Sequence, residues 1–267
     1  SNFRDIQDRL ADLGDRCMDW TALTPLMETH PSRPSVSDKK DGESAPELGN
    51  TGPVRIAIAR DAAFNFYYED NLDALRALGA DLEFWSPLSE SVPEGINGVV
   101  LGGGFPEQFA PQLSQNQATR LELQALINGG LPAYAECGGL MYLCETLQTF
   151  DQKSFPMVGV IPNGVQMRSK LNLGYRALTL QQKNRLFYWS ESIYGHEFHH
   201  SQLQRANPVP LMTLQSLSQP HLPAVEEGFG GPSLHASYVH LHWGNKPFLA
   251  EQFVKACCNY GSVRNEL

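Results

Sequence analysis

The 267-residue sequence predicts an α/β fold with a mostly parallel central sheet, and three observations predict it. Short β-branched runs alternate with stretches at helical spacing over about 100 residues from Val54, the pattern of a sheet covered by helices on both faces. Glycine clusters follow two of those runs, where loops leave the carboxyl ends of strands. Hydrophobic residues make up 42% and charged residues 18%, an ordinary globular composition that can bury a sizeable core.

Residues 3–27 open as an amphipathic helix with Phe3, Ile6 and Leu10 on one face, restarting at a capping Asp19–Trp20–Thr21. Residues 29–53 have almost no apolar content and cannot offset their ordering entropy, so a flexible linker is expected there. The chain begins with Ser1 in mid-helix and reads as a piece of a longer protein, with residues 1–28 the end of an upstream domain. The main domain spans 54–267. Strands are expected at Val54–Ile58, Leu82–Trp85, Val99–Leu101 and Pro132–Ala135. Helices are expected at 71–78, at 107–128 and from Gly138 to about Thr146. The second half is richer in strands, at Met157–Ile161, Tyr175–Thr179, Gly195–His200 and Ser237–His242.

A net charge of −9 argues against a nucleic-acid partner. No apolar run approaches the roughly 18 residues of a membrane span, and the start is not that of a signal peptide. The five cysteines, at 17, 137, 144, 257 and 258, are odd in number and form no CxxC pair, which fits a reducing compartment and predicts a cytoplasmic protein.

Cys137 falls at a strand-to-helix junction in Ala133–Tyr134–Ala135–Glu136–Cys137–Gly138–Gly139. A nucleophile on such a sharp turn demands small residues two before and two after it, and Ala135 and Gly139 fill those places. A helix N-terminus beyond the turn favours a thiolate. A buried structural cysteine beside a glycine turn fits the same residues. Leu101–Gly102–Gly103–Gly104–Phe105–Pro106–Glu107 follows a strand at the same sheet edge and lacks the GxxxxGK[ST] phosphate pattern. Its glycines suit either oxyanion donors, Gly103 or Gly104 with Gly138, or simply a tight turn. A base should come from another element. Strand alternation in Ser237–His242 puts Tyr238, His240 and His242 on one face, and His240 is the candidate. His196–Glu197–Phe198–His199–His200 satisfies the H-E-x-x-H zinc pattern. Its flanks favour a strand, however, which would turn His196 and His199 to opposite faces, so no metal site is expected.

Five segments in order carry a family resemblance: Ala59–Tyr68, Leu101–Glu107, Ala135–Leu143, Gly195–His199 and Ala236–His242. Together they resemble the C-terminal class I glutamine amidotransferase domain of the cobyrinic acid a,c-diamide synthase family, over roughly residues 54–262. The resemblance implies a flavodoxin-like fold with a nucleophile elbow. It also implies a γ-glutamyl thioester on Cys137, His240 as base, and His199, His200 and Ser201 lining the glutamine pocket. Enzymes of the family carry an N-terminal P-loop synthetase domain that uses ATP and Mg2+ to activate corrin carboxylates. Residues 1–28 would be the end of that domain, and no cofactor is expected on 54–267. In the wider class a glutamate two residues after the base orients it. Here that place holds His242, so Glu136 and Glu197 become further candidates and the base is expected to be poorly poised by itself. The residues leave three other readings open: a nickel-sirohydrochlorin a,c-diamide synthase, a non-catalytic docking module, and a metal hydrolase built on His196 and His199.

Overall fold

The computed structural model describes residues 3–27, 54–181 and 186–265. The linker expected at 29–53 lies outside the described residues. The chain divides into two compact units, the first containing α1 (Phe3–Cys17) and α2 (Trp20–Met27). The break between them falls at the capping residue: Asp19 Oδ1 accepts the Ala22 N–H at 3.1 Å, satisfying one of the donors a helix start leaves free. Phe3, Ile6 and Leu10 are all exposed.

The second unit begins with β1 (Val54–Ala59), β2 (Phe64–Phe66), α3 (Glu69–Ala77) and β3 (Ala80–Trp85). It continues through β4 (Gly98–Leu101), β5 (Gly103–Gly104), α4 (Ala110–Gln115), α5 (Gln117–Asn128), β6 (Ala133–Glu136) and α6 (Gly138–Leu143). A strand-rich stretch follows: β7 (Cys144–Gln148), β8 (Ser154–Pro156), β9 (Ile161–Leu180), β10 (Ile193–Leu203), β11 (Met212–Ser216) and β12 (Val225–Glu227). The chain ends with β13 (Phe229–Gly230), β14 (Leu234–Ser237), β15 (His240–Leu241) and α7 (Phe248–Asn265).

The main sheet has the order β13-β14-β6-β4-β1-β3, parallel throughout except for β13 at the edge. Its five parallel strands, counted along the chain, lie in the order 2-1-3-4-5, the flavodoxin-like arrangement, which reverses direction between β1 and β4. Both faces are buried. Ile56 and Ile58 belong to one core and Ala57 and Ala59 to the other, as alternation along β1 requires. The ends of β1, β4 and β6 therefore converge where a ligand crevice forms in this topology.

Several elements differ from the sequence expectation. The helix expected over 107–128 is a 3-10 turn followed by α4 and α5, broken at Asn116. The Asn116 amide donates to the Pro87 and Glu90 carbonyls, which ties the break down. The helix after Cys137 stops at Leu143, because Cys144 enters a ladder opposite Ile161. Met157 and Val158 form no strand; their N–H groups donate to Glu145 and Tyr142 carbonyls instead.

The strand expected over Ser237–His242 is two strands in two different sheets. β14 closes the parallel sheet, whereas β15 pairs with β10 in a second, mixed sheet of order β12-β11-β9-β10-β15. Buried Glu227 makes the break. Its carboxylate accepts the Ser237 hydroxyl at 2.6 Å and the Tyr238 N–H at 2.8 Å, and Ser237 Oγ accepts the Val239 N–H at 2.9 Å. Side chains thus take the donors that would have continued one ladder. Burial pushes the Glu227 carboxyl up to about 7, although its hydrogen bonds from Ser237 and Tyr238 oppose the shift.

Candidate active site

Cys137 joins β6 to α6 with φ 47 and ψ −99. A non-glycine residue in that region costs about 1–3 kcal/mol and persists only where its surroundings over-determine it. Here the Cys137 N–H donates to the Ser237 carbonyl at 2.7 Å, and its carbonyl accepts the Met141 N–H at 3.0 Å. The small residue expected two positions later is obligatory: a Cβ on Gly139 would lie 2.1 Å from the Leu101 carbonyl oxygen.

The glycine loop packs directly on this turn. The Gly102 carbonyl accepts the Gly139 N–H at 3.0 Å. The Gly102 N–H donates to the Tyr67 hydroxyl at 2.9 Å, and that hydroxyl in turn donates to the Ala59 carbonyl at the end of β1. A Cβ on Gly138 would sit 3.1 Å from the Gly104 nitrogen, and one on Gly103 would sit 2.5 Å from His240 Cε1. Gly103, Gly104 and Gly138 therefore meet beside Cys137 and His240, with no room for a Cβ on Gly103 or Gly104 and a tight fit for one on Gly138.

His240 is buried. Its Nδ1 lies 3.3 Å from Glu136 Oε2, paired by charge but off the axis of a well-directed hydrogen bond. Glu136 is itself held through Oε1, which accepts the Tyr134 hydroxyl and, at 2.9 Å, the Leu241 N–H. Burial disfavours charge on His240, but its interactions with Cys137 and with the Glu136 carboxylate outweigh that and push its pKa up to about 10. The arrangement places a protonated imidazole, a proton donor, beside the Cys137 sulfur. Of the three candidates for a partner of His240, it is Glu136, the residue before Cys137, that lies beside it.

The remaining candidates lie elsewhere. His242 is exposed and pairs with Asp70 at 3.0 Å. Glu197 binds Arg176 at 2.6 Å and lies 3.5 Å from His199 Nε2, away from His240. Along β10, His196, Phe198 and His200 alternate with buried Glu197, His199 and Ser201. His199 stacks flat on Tyr238 at 3.9 Å and Ser201 Oγ contacts Met141 Sδ, so neither lines the cavity at Cys137. His200 lies on the open face beside Phe150. The H-E-x-x-H segment is the strand expected, with its two histidines on opposite faces. Among the described residues, no group of three His, Cys, Asp or Glu side chains could hold a metal ion.

The cavity at the elbow has a volume of about 200 Å³ and is lined by Asn65, Phe66, Gly104, Phe105, Cys137, His196, Phe198 and His240. That is small beside the roughly 300–1,000 Å³ of drug-sized pockets and suits a ligand of amino-acid size. A larger cavity, about 500 Å³, lies at Arg168, Lys170, Asn172 and Ser201 and includes neither Cys137 nor His240.

Residues 55–248 match the CobB/CobQ-like glutamine amidotransferase domain. The chain belongs to that family. Among the relatives of this amidotransferase domain is the cobyrinate a,c-diamide synthase of Synechococcus sp., 46% identical over 258 residues, which cover 96% of this chain and 55% of that protein. The enzyme of the same name from Synechocystis sp. is 44% identical, with 94% and 51% covered. The chain thus spans about half the length of the curated relatives it matches. A solved glutamine amidotransferase superposes with a TM-score of 0.53 at 16% identity, covering 76% of this chain and 98% of that one. PurLQS from Thermotoga maritima gives 0.52 at 14%, covering 78% and 99%. At such identities the likeness is one of fold.

Sequence reasoning gave no role to two residues that hold this candidate site together. Asn71 on α3 is buried, donates to the Leu241 carbonyl at 2.8 Å and accepts the Trp243 N–H at 2.7 Å, fastening both ends of the segment that carries His242. A polar residue among Leu72 and Leu75 on the inward face of a helix was the available signal. Tyr67, which secures the glycine loop, had none beyond its place in an aromatic run.

Proposed function

We propose that this domain hydrolyses glutamine through a thioester on Cys137 and supplies ammonia for amidation of the a and c carboxylates of a corrin. The observation that carries the glutaminase reading is the chain Glu136–His240–Cys137, assembled at a strained elbow against a glycine loop. The Cys137 thiolate attacks the side-chain amide carbon of glutamine, and the carbonyl π electrons move to oxygen. N–H groups of Gly138 and of Gly103 or Gly104 stabilise that oxyanion. His240 gives its proton to the departing nitrogen, which leaves as ammonia, and a γ-glutamyl thioester remains. His240, now neutral, takes a proton from water as the water attacks. Collapse of the second tetrahedral intermediate releases glutamate and restores the thiolate beside the imidazolium.

The acceptor rests on the relatives, which are named cobyrinate a,c-diamide synthases and are about twice as long. In this reading a preceding synthetase domain, ending in residues 1–28, uses ATP and Mg2+ to activate the corrin, and the whole enzyme works in the cytoplasm. This reading gives the ATP and Mg2+ roles to that preceding domain. The sequence has no GxxxxGK[ST] loop, and the described residues offer no metal cluster. His200 lies on the open face of β10 and, like His199 and Ser201, is not among the residues lining the cavity at Cys137.

The test combines this chain with a separately produced synthetase domain. Glutamine-dependent formation of the a,c-diamide should require both proteins and ATP, and Cys137→Ala should abolish it while free ammonia still supports the reaction. Diamide formation by this chain alone would refute the division of labour. Amidation of nickel-sirohydrochlorin in preference to the corrin would move the acceptor to that ring.

A further inference from the structure

The contact between His240 and Glu136 leaves one thing undetermined. At 3.3 Å and off the axis of a directed hydrogen bond, the carboxylate supplies charge and holds the plane of the imidazole only loosely. Two rings pack against it as well. Phe66 presents its ring edge-on to His240 at 4.9 Å and 77°, and His196 stacks on it at 4.9 Å and 21°. The stack is built into the sheet, because His196 and His240 are directly opposed in the β10–β15 register. The close approach of the two strands depends on Gly195, where a Cβ would lie 2.6 Å from the His240 carbonyl oxygen.

We propose that His196 is a positioning residue for the base: its ring holds the His240 imidazole in the plane that presents one nitrogen to Glu136 and the other to Cys137. This rests on the glutaminase reading above. His196 is held in turn, with the Tyr68 hydroxyl 3.3 Å from its Nδ1 and Tyr175 opposite it on β9. The titratable groups around it are Tyr68, Tyr175, His240 and, further off, Glu136. Burial and the charge on His240 both hold His196 below its ordinary value, although Glu136 opposes them. His196 is thus a neutral ring against an imidazolium, an attractive pairing, where two charged rings would repel. The H-E-x-x-H pattern thereby acquires a role unrelated to metal.

The experiment measures inactivation by a diazoketone analogue of glutamine, reading the maximal rate and the half-saturating concentration separately and locating the adduct by mass spectrometry. His196→Ala should lower the maximal rate about tenfold and leave half-saturation within about twofold, as expected when a reacting group loses its orientation. His196→Phe restores a flat ring and should return the rate to within about threefold of wild type. Should the alanine variant fail to fold, His196→Gln, which keeps a polar partner for Tyr68 but no ring, carries the same expectation. A wild-type rate in the ringless variant would overturn the proposal, as would an equal loss in the alanine and phenylalanine variants. A change in half-saturation alone would make His196 a substrate contact and overturn it too. Absence of any Cys137 adduct in the wild type would sink the glutaminase reading itself, a separate failure.

Discussion

Glu136→Gln tests the electrostatics of the site with little change of shape. The glutamine can still accept from Tyr134 and Leu241 through its oxygen, so the main loss is the charge 3.3 Å from His240 Nδ1. At an effective dielectric constant of about 20, two unit charges at that distance attract by about 5 kcal/mol. The carboxylate already spends part of its field on the Tyr134 and Leu241 donors, so about 3 kcal/mol is the loss expected at the imidazolium. That corresponds to about a hundredfold in glutaminase kcat and about two pH units in the His240 ionisation. The sign follows from the raised value. His240 stays protonated to about pH 10 in the wild type, so its contribution to stability is complete below about pH 6.5 and disappears as the pH rises through about 10. In Glu136→Gln the imidazolium should be lost nearer neutrality. Measuring kcat and Cys137 alkylation from pH 5 to 10 reads both effects. A folded variant within about threefold of wild type, with the same pH profile, would refute the reasoning.

Three further outcomes follow from the same geometry. At Cys137, where φ is 47, glycine should give a more stable protein than alanine by about 1 kcal/mol in denaturant melts, the reverse of the usual order; equal stabilities would mean the elbow is unstrained. Glu227 has its folded pKa raised to about 7, so the folded state binds the extra proton and wild-type stability falls as the pH rises from about 4.5 through 7. Glu227→Gln should therefore gain on wild type by up to about 3 kcal/mol between pH 5 and pH 8, and a pH-independent difference would contradict the assignment. Gly139→Ala places a methyl group 2.1 Å from the Leu101 carbonyl oxygen and should cost about 3 kcal/mol, read as a lowered Tm together with loss of Cys137 labelling.

The parallel strands, the elbow and the glycine loop were legible because each is written locally: a β-branched run, then small residues where the chain must turn. The strand character of the H-E-x-x-H segment was equally local. The break between β14 and β15 was not, because it is imposed by Glu227, which arrives from β12, takes the Tyr238 N–H out of the ladder and holds the Ser237 hydroxyl that takes the Val239 N–H. Glu136 was only one candidate of three for a related reason. In a straight strand, neighbours 136 and 137 point to opposite faces. The backbone at Cys137 breaks that alternation and lets both side chains reach His240. The His196 stack depends on a register between β10 and a two-residue strand, which no periodicity in the sequence encodes.

The most direct test of the account is the site of covalent labelling. Among the described cysteines, Cys144 and Cys257 are fully buried and their thiols are pushed far up by burial, so neither should react at neutral pH. Treating the protein with a γ-electrophilic glutamine analogue at pH 7.5, then mapping the adduct by peptide mass spectrometry, should give one modification, on Cys137. Glutamine should protect against it, and His240→Ala should remove most of it. Modification at Cys144, Cys257 or Cys258 instead, or labelling of Cys137 that neither glutamine nor His240→Ala affects, would contradict the account.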